Sequence, residues 1–252
     1  MLPISDDNSD RKSFPFINYI LIAINILVFI VYQKWGTDIH FTFSYATVPA
    51  EIIGGHDLVT DPTFVHDPIS GQQVEIPGLG VTPIPVYFTL ITSMFMHGGI
   101  AHLAGNMLYL LIFGDNLEDR MGHFKYLFFY LLCGILASLT HVGTDYLFGE
   151  NHLIPSLGAS GAISGVMGGY LLLFPTRTVR VFVFFFLVRL PAFIVLGLWI
   201  ALQVANGTGY LGGNEASGIA YAAHIGGFFA GLLLVKRFLT REEPVAKRKW
   251  FG

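Results

Sequence analysis

The hydrophobic residues of this chain are gathered into long runs, and polar segments separate one run from the next. A helix needs about 20 apolar residues to cross the hydrocarbon core of a bilayer. The pattern predicts six such helices, at residues 17–33, 90–113, 124–146, 160–174, 191–205 and 218–238. No small-residue cleavage site follows the first run, so we expect a retained helix and not a signal peptide. The expected fold class is all-α, a polytopic membrane protein with six transmembrane helices.

Polar and short apolar segments make up the rest of the chain. We expect a cytoplasmic N-terminal segment at 1–16, a membrane domain at 17–238 and a basic cytoplasmic tail at 239–252. The long, proline-rich connection at 34–88 is either a functional loop or a solvated linker. The apolar segment at 179–189 is too short to span a bilayer, so we expect it to lie along the membrane interface.

The composition agrees with a membrane protein. The 252 residues are 53% hydrophobic and only 12% charged, with a mean hydropathy of +0.61, whereas about 25% of the residues of a soluble domain are charged. The formal net charge of −3 gives no basis for a nucleic-acid surface. Cys133 is the single cysteine, which excludes an internal disulfide. The expected surroundings are the lipid bilayer, with no nucleic-acid partner.

Lysine and arginine residues set the expected orientation, because the cytoplasmic loops of membrane proteins are enriched in them. With six helices, thirteen of the fourteen lysine and arginine residues fall on the side that carries both termini, and Lys34 is the exception. The sequence therefore predicts that both termini are cytoplasmic and that the 34–88 loop faces outward. The expected location is a bacterial plasma membrane.

A stripe of glycines marks the fourth predicted helix. Gly161, Gly165 and Gly169 recur every four residues, so one face of this helix allows another helix to approach closely. Ser160 follows Gly158 at the start of the helix, where backbone N–H groups without helical partners accompany its hydroxyl. The simpler interpretation is a packing helix with ordinary serines.

The depth of the polar residues brings the fourth and sixth helices together. A helix of about fifteen residues rises roughly 22 Å, against a core of about 30 Å, so Ser160 is expected some 10 Å below the outer surface. His224 lies at a similar depth on the sixth helix, which has small residues of its own at Gly227 and Gly231. If these helices pack, Ser160 meets His224, as a nucleophile meets its general base. A histidine that only hydrogen-bonds a carbonyl is the structural alternative for His224.

His102 and Asn106 are four residues apart on the second predicted helix and therefore share one face. An imidazole and an amide directed at one pocket suit the anionic intermediate of acyl transfer, together with the backbone N–H of Ser160. We assign both side chains to oxyanion stabilisation. Asn106 is equally suited to join two helices through a hydrogen bond.

Other polar residues near these positions have structural interpretations. His97 precedes two glycines and is expected to support the loop before the second helix. Ser164 lies one turn below Ser160 and is an alternative nucleophile, although it lies deeper and lacks a glycine two residues before it. The segment 114–122 is expected to be a solvated turn with salt bridges. Its charged members include Glu118, Asp119 and Arg120.

Three short motifs resemble the rhomboid intramembrane serine proteases. They are the H-xxx-N element within 96–106, the G-x-S-G element within 158–162 and the A-H-x-G-G element at 223–227. The elements occur in the family order on the second, fourth and sixth helices, and the resemblance covers roughly 90–238. Two further stretches also look like the family, at 114–122 and 174–175.

The resemblance implies a six-helix rhomboid-like bundle and a serine endopeptidase. The nucleophile would be Ser160 and the general base and acid His224, with no acidic third member. His102, Asn106 and the amide of Ser160 would form the oxyanion hole. The implied substrates are single-span transmembrane proteins cut in or near the membrane, and no cofactor is implied.

The chain departs from the family in two places. Some bacterial rhomboids carry a tyrosine one turn after the nucleophile, where it stacks on the base, but this chain has Ser164 there. What orients His224 is therefore open. Some also carry a Trp-Arg pair in the first loop, whereas residues 35–119 contain no arginine.

Two other functions stay open. A catalytically inactive rhomboid-like protein that binds membrane proteins is one, although such relatives lose the serine or the histidine. A transporter is the other, and it is disfavoured because the inner halves of the fourth and sixth helices are apolar. A metal site at His97, His102 and His224 is also disfavoured, since no acidic or cysteine residue accompanies them. The oligomeric state cannot be read from the sequence.

Overall fold

The computed structural model describes residues 2–66, 73–149, 152–211 and 221–240. Within these ranges the helices are α1 Phe16–Leu27, α2 Ile39–Tyr45, α3 Pro49–Gly54, α4 Thr89–Thr92, α5 Ile100–Met121, α6 His123–Phe148, α7 Ser160–Leu173, α8 Ala192–Leu211 and α9 Tyr221–Phe238. The strands are β1 Leu2–Asp6, β2 Thr63–His66, β3 Gln73–Ile76, β4 Thr178–Val183 and β5 Phe186–Pro191. A π-helical turn at Val28–Tyr32 extends α1.

Each of the six predicted helices has a helical counterpart. These are α1 with its π-helical turn, α5, α6, α7, α8 and α9. The last of them is described from Tyr221, so its predicted start at 218 lies outside the described residues, as does the tail beyond Thr240. The fifth continues to Leu211, past its predicted end near 205.

Fewer than six of the described helices are long and apolar enough to be membrane spans by length and composition. Among the described residues, α6 alone is long and apolar enough to cross a membrane by itself. The helical segment Val86–Phe95, which includes α4, is long and apolar enough to cross a membrane only when it is taken together with α5. The two are bent by 83° relative to each other. Phe16–Tyr32, α7 and the Ala192–Thr208 part of α8 are shorter apolar helices. The bundle of six spans therefore stays a prediction.

The second predicted helix differs from its expected course at both ends. The chain bends at residues 96–99, so the straight helix begins only at Ile100. The predicted turn at 114–122 is wrong, because α5 continues to Met121 and the chain turns at Gly122, where φ is 76°. Leu117 and Met121 explain the extension, since both are fully buried and continue the apolar face of the helix.

Glu118 is buried and not solvated, which also corrects the prediction for this segment. Its carboxylate accepts hydrogen bonds from the backbone N–H groups of Ile17 and Asn18, at distances of 3.0 and 2.7 Å. These groups belong to the first turn of α1, where helical N–H groups have no partner within the helix. No side chain of α1 itself caps this end. Glu118 of α5 therefore caps α1.

The chain is mostly helical, as expected, but its described residues also form strands, which the all-α expectation omitted. The segment 179–189, which we expected to lie along the membrane interface, forms the antiparallel hairpin β4–β5. Strand β1 pairs with β4, so the N-terminal segment contributes to a three-stranded sheet. Val179 and Val181 are fully buried, while Arg180 and Phe182, which alternate with them, are exposed, as the two faces of a strand require.

The 34–88 loop is also folded. Helices α2 and α3 and the hairpin β2–β3 lie within the 34–88 connection. Thr47 and Ser156 form an isolated β-bridge, which joins this loop to the segment that precedes α7. Gln33, at the end of the first helix, holds the backbone of His97 through two hydrogen bonds of 2.9 Å. The loop therefore adjoins the candidate site.

Helix α7 lies at the centre of the fold, and each of its residues from Gly161 to Tyr170 is buried. A Cβ atom on Gly227 of α9 would lie 2.1 Å from the carbonyl oxygen of Gly161. A Cβ atom on Gly231 would lie 1.9 Å from that of Gly165. The backbones of α7 and α9 thus approach each other along their two glycine stripes, as the sequence predicted.

Candidate active site

Gly158 lies two residues before Ser160, and its backbone conformation and missing side chain shape the space around the Ser160 hydroxyl. Its φ of 122° is a conformation that favours glycine, and its N–H donates to the carbonyl oxygen of Ser93 over 2.9 Å. A Cβ atom at this position would lie 2.9 Å from Nε2 of His102 and 3.7 Å from Oγ of Ser160. The missing side chain of Gly158 therefore leaves an opening between the imidazole of His102 and the hydroxyl of Ser160.

Ser160 is the first residue of α7, and His224 lies in the first turn of α9. The glycine contacts between the two helices bring these residues together. Oγ of Ser160 lies 2.8 Å from Nε2 of His224, which is a hydrogen-bonding distance. Both side chains are half-buried. A hydroxyl in this position can give its proton directly to the imidazole.

The other nitrogen of His224 has a partner that the sequence analysis missed. Nδ1 of His224 lies 2.8 Å from Oε1 of Gln203, on α8. The ring of Trp199, one turn earlier on α8, lies 5.8 Å from the imidazole at an interplanar angle of 39°. A glutamine within an apolar helix was the available signal, because polar groups in such helices are usually functional.

His102 and Asn106 lie on α5, close to the opening beside Gly158. The N–H of Gly98 points to Nδ1 of His102 at 3.4 Å. Asn106 is buried, and its Nδ2 lies 2.9 Å from Nε2 of His97. Within the described part of the chain, neither His102 nor Asn106 forms a hydrogen bond with Ser160.

The alternative nucleophile, Ser164, is held elsewhere. Its side chain is fully buried, and its hydroxyl donates to the carbonyl oxygen of Ser160 over 2.6 Å. The Ser164 hydroxyl is therefore engaged with the backbone of the preceding turn of α7. His97 is anchored by Gln33 and Asn106, in agreement with its predicted supporting role.

A small cavity of about 20 Å³ lies beside Ser160, and this volume is enough for one water molecule. Its lining includes three further hydroxyl groups, of Ser93, Ser138 and Ser156. A larger cavity of about 370 Å³ lies in the 34–88 loop, between Lys34 and Pro77, and none of the candidate residues lines it. Among the described residues, no three His, Cys, Asp or Glu side chains are grouped to hold a metal ion.

Comparison with known proteins supplies a family. A family model described as Rhomboid domain matches residues 85–241, more than half of the chain. Rhomboid protein 1, mitochondrial, of Saccharomyces cerevisiae is 34% identical over 146 residues, which cover 58% of this chain and 40% of that protein. RHOMBOID-like protein 4 of Arabidopsis thaliana is 32% identical over 145 residues, covering 58% and 32%. Rhomboid protease GluP of Bacillus subtilis is 33% identical over 150 residues, covering 59% and 26%.

These matches span less than half the length of each of the three relatives. The relatives come from a yeast, a plant and a bacterium, and the yeast protein is named as mitochondrial. They do not favour the bacterial plasma membrane that we expected from the sequence, and they support an integral membrane protein.

Proposed function

The chain belongs to the rhomboid family, and we propose that it is a serine endopeptidase that hydrolyses peptide bonds of transmembrane proteins in or near the membrane. Rhomboids are generally intramembrane serine proteases. The observation that carries the proposal is the 2.8 Å between Ser160 Oγ and His224 Nε2. This pair of side chains would carry out the proton transfers, and the proposal includes no cofactor or metal.

The first half of the reaction forms an acyl-enzyme. Oγ of Ser160 attacks the carbonyl carbon of the scissile peptide, and its proton passes to Nε2 of His224. The tetrahedral intermediate then collapses, the C–N bond breaks and His224 gives that proton to the leaving amine. In the second half, a water molecule loses a proton to His224 and attacks the ester. Collapse of the second intermediate returns the proton to Ser160.

Stabilisation of the oxyanion would come from three donors. The backbone N–H of Ser160 lies at the N-terminus of α7, where N–H groups have no partner within the helix. Asn106 carries two amide hydrogens, and one donated to His97 leaves the other for the oxyanion. His102 borders the opening beside Gly158 and would supply a further donor.

The substrates we propose are single-span membrane proteins that present an unwound peptide to Ser160. The proposal includes six membrane spans, both termini in the cytoplasm and the 34–88 loop on the outer side. In this arrangement Ser160 and His224 lie near the outer ends of α7 and α9. The hydrated opening above them then admits the water that hydrolysis consumes.

The test uses purified protein in detergent and a fluorescently tagged single-span substrate. We expect Ser160→Ala and His224→Ala each to lower kcat at least 10³-fold, because each removes one member of the proton-transferring pair. Ser164→Ala is the matched control, since it removes a neighbouring hydroxyl that bonds only its own helix. It should keep wild-type activity to within a few fold.

Two results would overturn the proposal. Cleavage that survives both Ser160→Ala and His224→Ala would exclude the dyad. A wild-type chain that binds the substrate without cutting it would instead favour an inactive rhomboid-like binder. A fluorophosphonate probe that labels Ser164 in place of Ser160 would move the nucleophile by one helical turn.

A further inference from the structure

We propose that Gln203 is a positioning residue for His224, a role that rests on the proposed protease function. Gln203 lies on α8, which follows α7 with the nucleophile and precedes α9 with the base, and its Oε1 is 2.8 Å from Nδ1 of His224. The hydrogen bond fixes both the orientation of the imidazole and the nitrogen that carries its proton.

The chemistry of the amide decides the tautomer. Oε1 of Gln203 can only accept a hydrogen bond, so Nδ1 of His224 must carry the proton between them. Nε2 is then left with its lone pair, and it faces Oγ of Ser160 at 2.8 Å. This tautomer is the one that can accept the serine proton. A ring held at both nitrogens also has no freedom to rotate away from the hydroxyl.

A second residue of α8 acts on the same ring. Trp199 is one turn before Gln203, so both side chains lie on one face of the helix. The indole lies against the imidazole, with ring centroids 5.8 Å apart, and it also lies 6.2 Å from the ring of Phe228, which is buried. Trp199 thus restricts the face of the imidazole while Gln203 holds its edge.

These contacts show what orients His224 in a chain that has Ser164 in place of the tyrosine found in some rhomboids. The position one turn after Ser160 cannot orient the imidazole, because the Ser164 hydroxyl is bonded to the backbone of its own helix. The support for His224 instead comes from α8 and α9. The position of α8 beside the site therefore matters for the chemistry as well as for packing.

Gln203 orients the base without adding charge. The titratable groups that act on His224 within the described part of the chain are His102 on α5 and His141 on α6, and neither is a carboxylate. A carboxylate at position 203 would stabilise the imidazolium. The neutral amide leaves the imidazole free to accept and release its proton, and this difference gives the test a signature that packing alone would not produce.

The experiment measures cleavage of the tagged single-span substrate over a range of pH. We expect Gln203→Leu to lower kcat about 10- to 100-fold with little change in KM, because the variant removes an orienting contact and not a substrate contact. Gln203→Glu should keep most of the activity and move the acidic limb of the profile to higher pH. Asn206→Leu is the control, since it removes an exposed amide from the same helix.

A second measurement separates positioning from loss of fold. The ¹⁵N chemical shifts of labelled histidine, assigned by comparison with His224→Ala, should show His224 protonated at Nδ1 in the wild type and as a tautomer mixture in Gln203→Leu. Thermal unfolding of the variant should stay within a few degrees of the wild type. A single tautomer in both proteins, or equal kcat and equal pH profiles, would overturn the role of Gln203.

The two proposals fail in different ways. If the wild type cleaves and Ser160→Ala does not, the protease function stands whatever Gln203 does. Wild-type behaviour of Gln203→Leu then rejects the positioning role alone. If the wild type does not cleave, the protease function is rejected and the positioning role is rejected with it.

Discussion

The carbonyl oxygen of Gly165 faces the α-carbon of Gly231 so closely that a methyl group on Gly231 would lie 1.9 Å from it. The contact leaves no room for any side chain between α7 and α9. Because Ser160 and His224 are carried by these two helices, the helix separation also sets the distance between the hydroxyl and the imidazole. Stability and activity are expected to depend on it together.

Gly231→Ala should therefore destabilise the protein by about 1–3 kcal/mol through overpacking, and it should lower cleavage in parallel. Thermal unfolding in detergent measures the first effect and the substrate assay the second. Gly197→Ala is the control, because nothing lies within 4 Å of a Cβ atom there. Alanine at this helical position should be neutral or stabilising by up to about 1 kcal/mol. Equal melting of Gly231→Ala and wild type would contradict the close packing.

Gly158→Ala should affect activity more than stability. The substitution places a methyl group 2.9 Å from the His102 ring and strains a backbone with φ of 122°. A displacement of about 1 Å in a catalytic group can lower the rate about 100-fold, and we expect a loss of that size. The measurement is kcat/KM for the tagged substrate. Gly143→Ala, at an open helical position, should leave it unchanged.

Glu118→Ala should destabilise the protein by about 1–3 kcal/mol, because two buried N–H groups at the start of α1 would lose their acceptor. Glu118→Gln should cost less, since the amide keeps one oxygen acceptor. The midpoint of thermal unfolding, followed by circular dichroism, gives the comparison. Asp61→Ala removes an exposed carboxylate and should not shift that midpoint. The reverse order of the two Glu118 variants would reject the capping role.

The tip of the β4–β5 hairpin is expected to contact lipid. Phe184 and Phe185 are 85% and 88% exposed, and Arg180 lies opposite Arg189 on the exposed face, which suits anionic headgroups. In a Cys133→Ala background in lipid nanodiscs, a spin label at 185 should be more accessible to oxygen than to a soluble nickel complex. A label at Val59 in the 34–88 loop should show the opposite preference. Matching nickel accessibility at both sites would place the hairpin in water.

Asp6 gives strand β1 a pH dependence. Burial raises the pKa of the Asp6 carboxyl above its ordinary value of 3.8. Its contribution to stability is therefore fully present below pH 3.8 and is lost as the pH rises through the raised value. Asp6→Asn should be more stable than wild type at neutral pH, with the difference vanishing in acid. Thermal unfolding at several pH values checks this, and Asp7→Asn, at an exposed position, should lack the effect.

The contact between Ser160 and His224 could be anticipated because it depends on helix periodicity and depth. Glycines four residues apart define one face of each helix, and two such faces can only pack closely against each other. The position of each residue along its helix then fixes its level. Both quantities are local, so a single sequence contains them.

The partner of His224 at Nδ1 could not be anticipated in the same way. Apolar residues lie on every side of helix α8, so its periodicity does not indicate which face packs against α9. The sequence shows Gln203 as a polar residue. However, the direction of its side chain depends on how α8 is rotated where it follows the hairpin β4–β5. For Glu118, the run of three adjacent charged residues suggested solvent exposure. In the structure Glu118 is buried because its carboxylate accepts hydrogen bonds from two N–H groups at the start of α1.

The pairing of β1 with β4 joins residues that are synthesised at very different times, since Leu2 pairs with Phe182. At about 5–20 residues per second, the first strand waits roughly 10–35 s before its partner leaves the ribosome. During that interval its backbone N–H and C=O groups are open to any other extended segment. The polar residues that follow β1, from Asp7 to Asp10, give this nascent segment the charge that keeps such an unpaired strand apart from its neighbours.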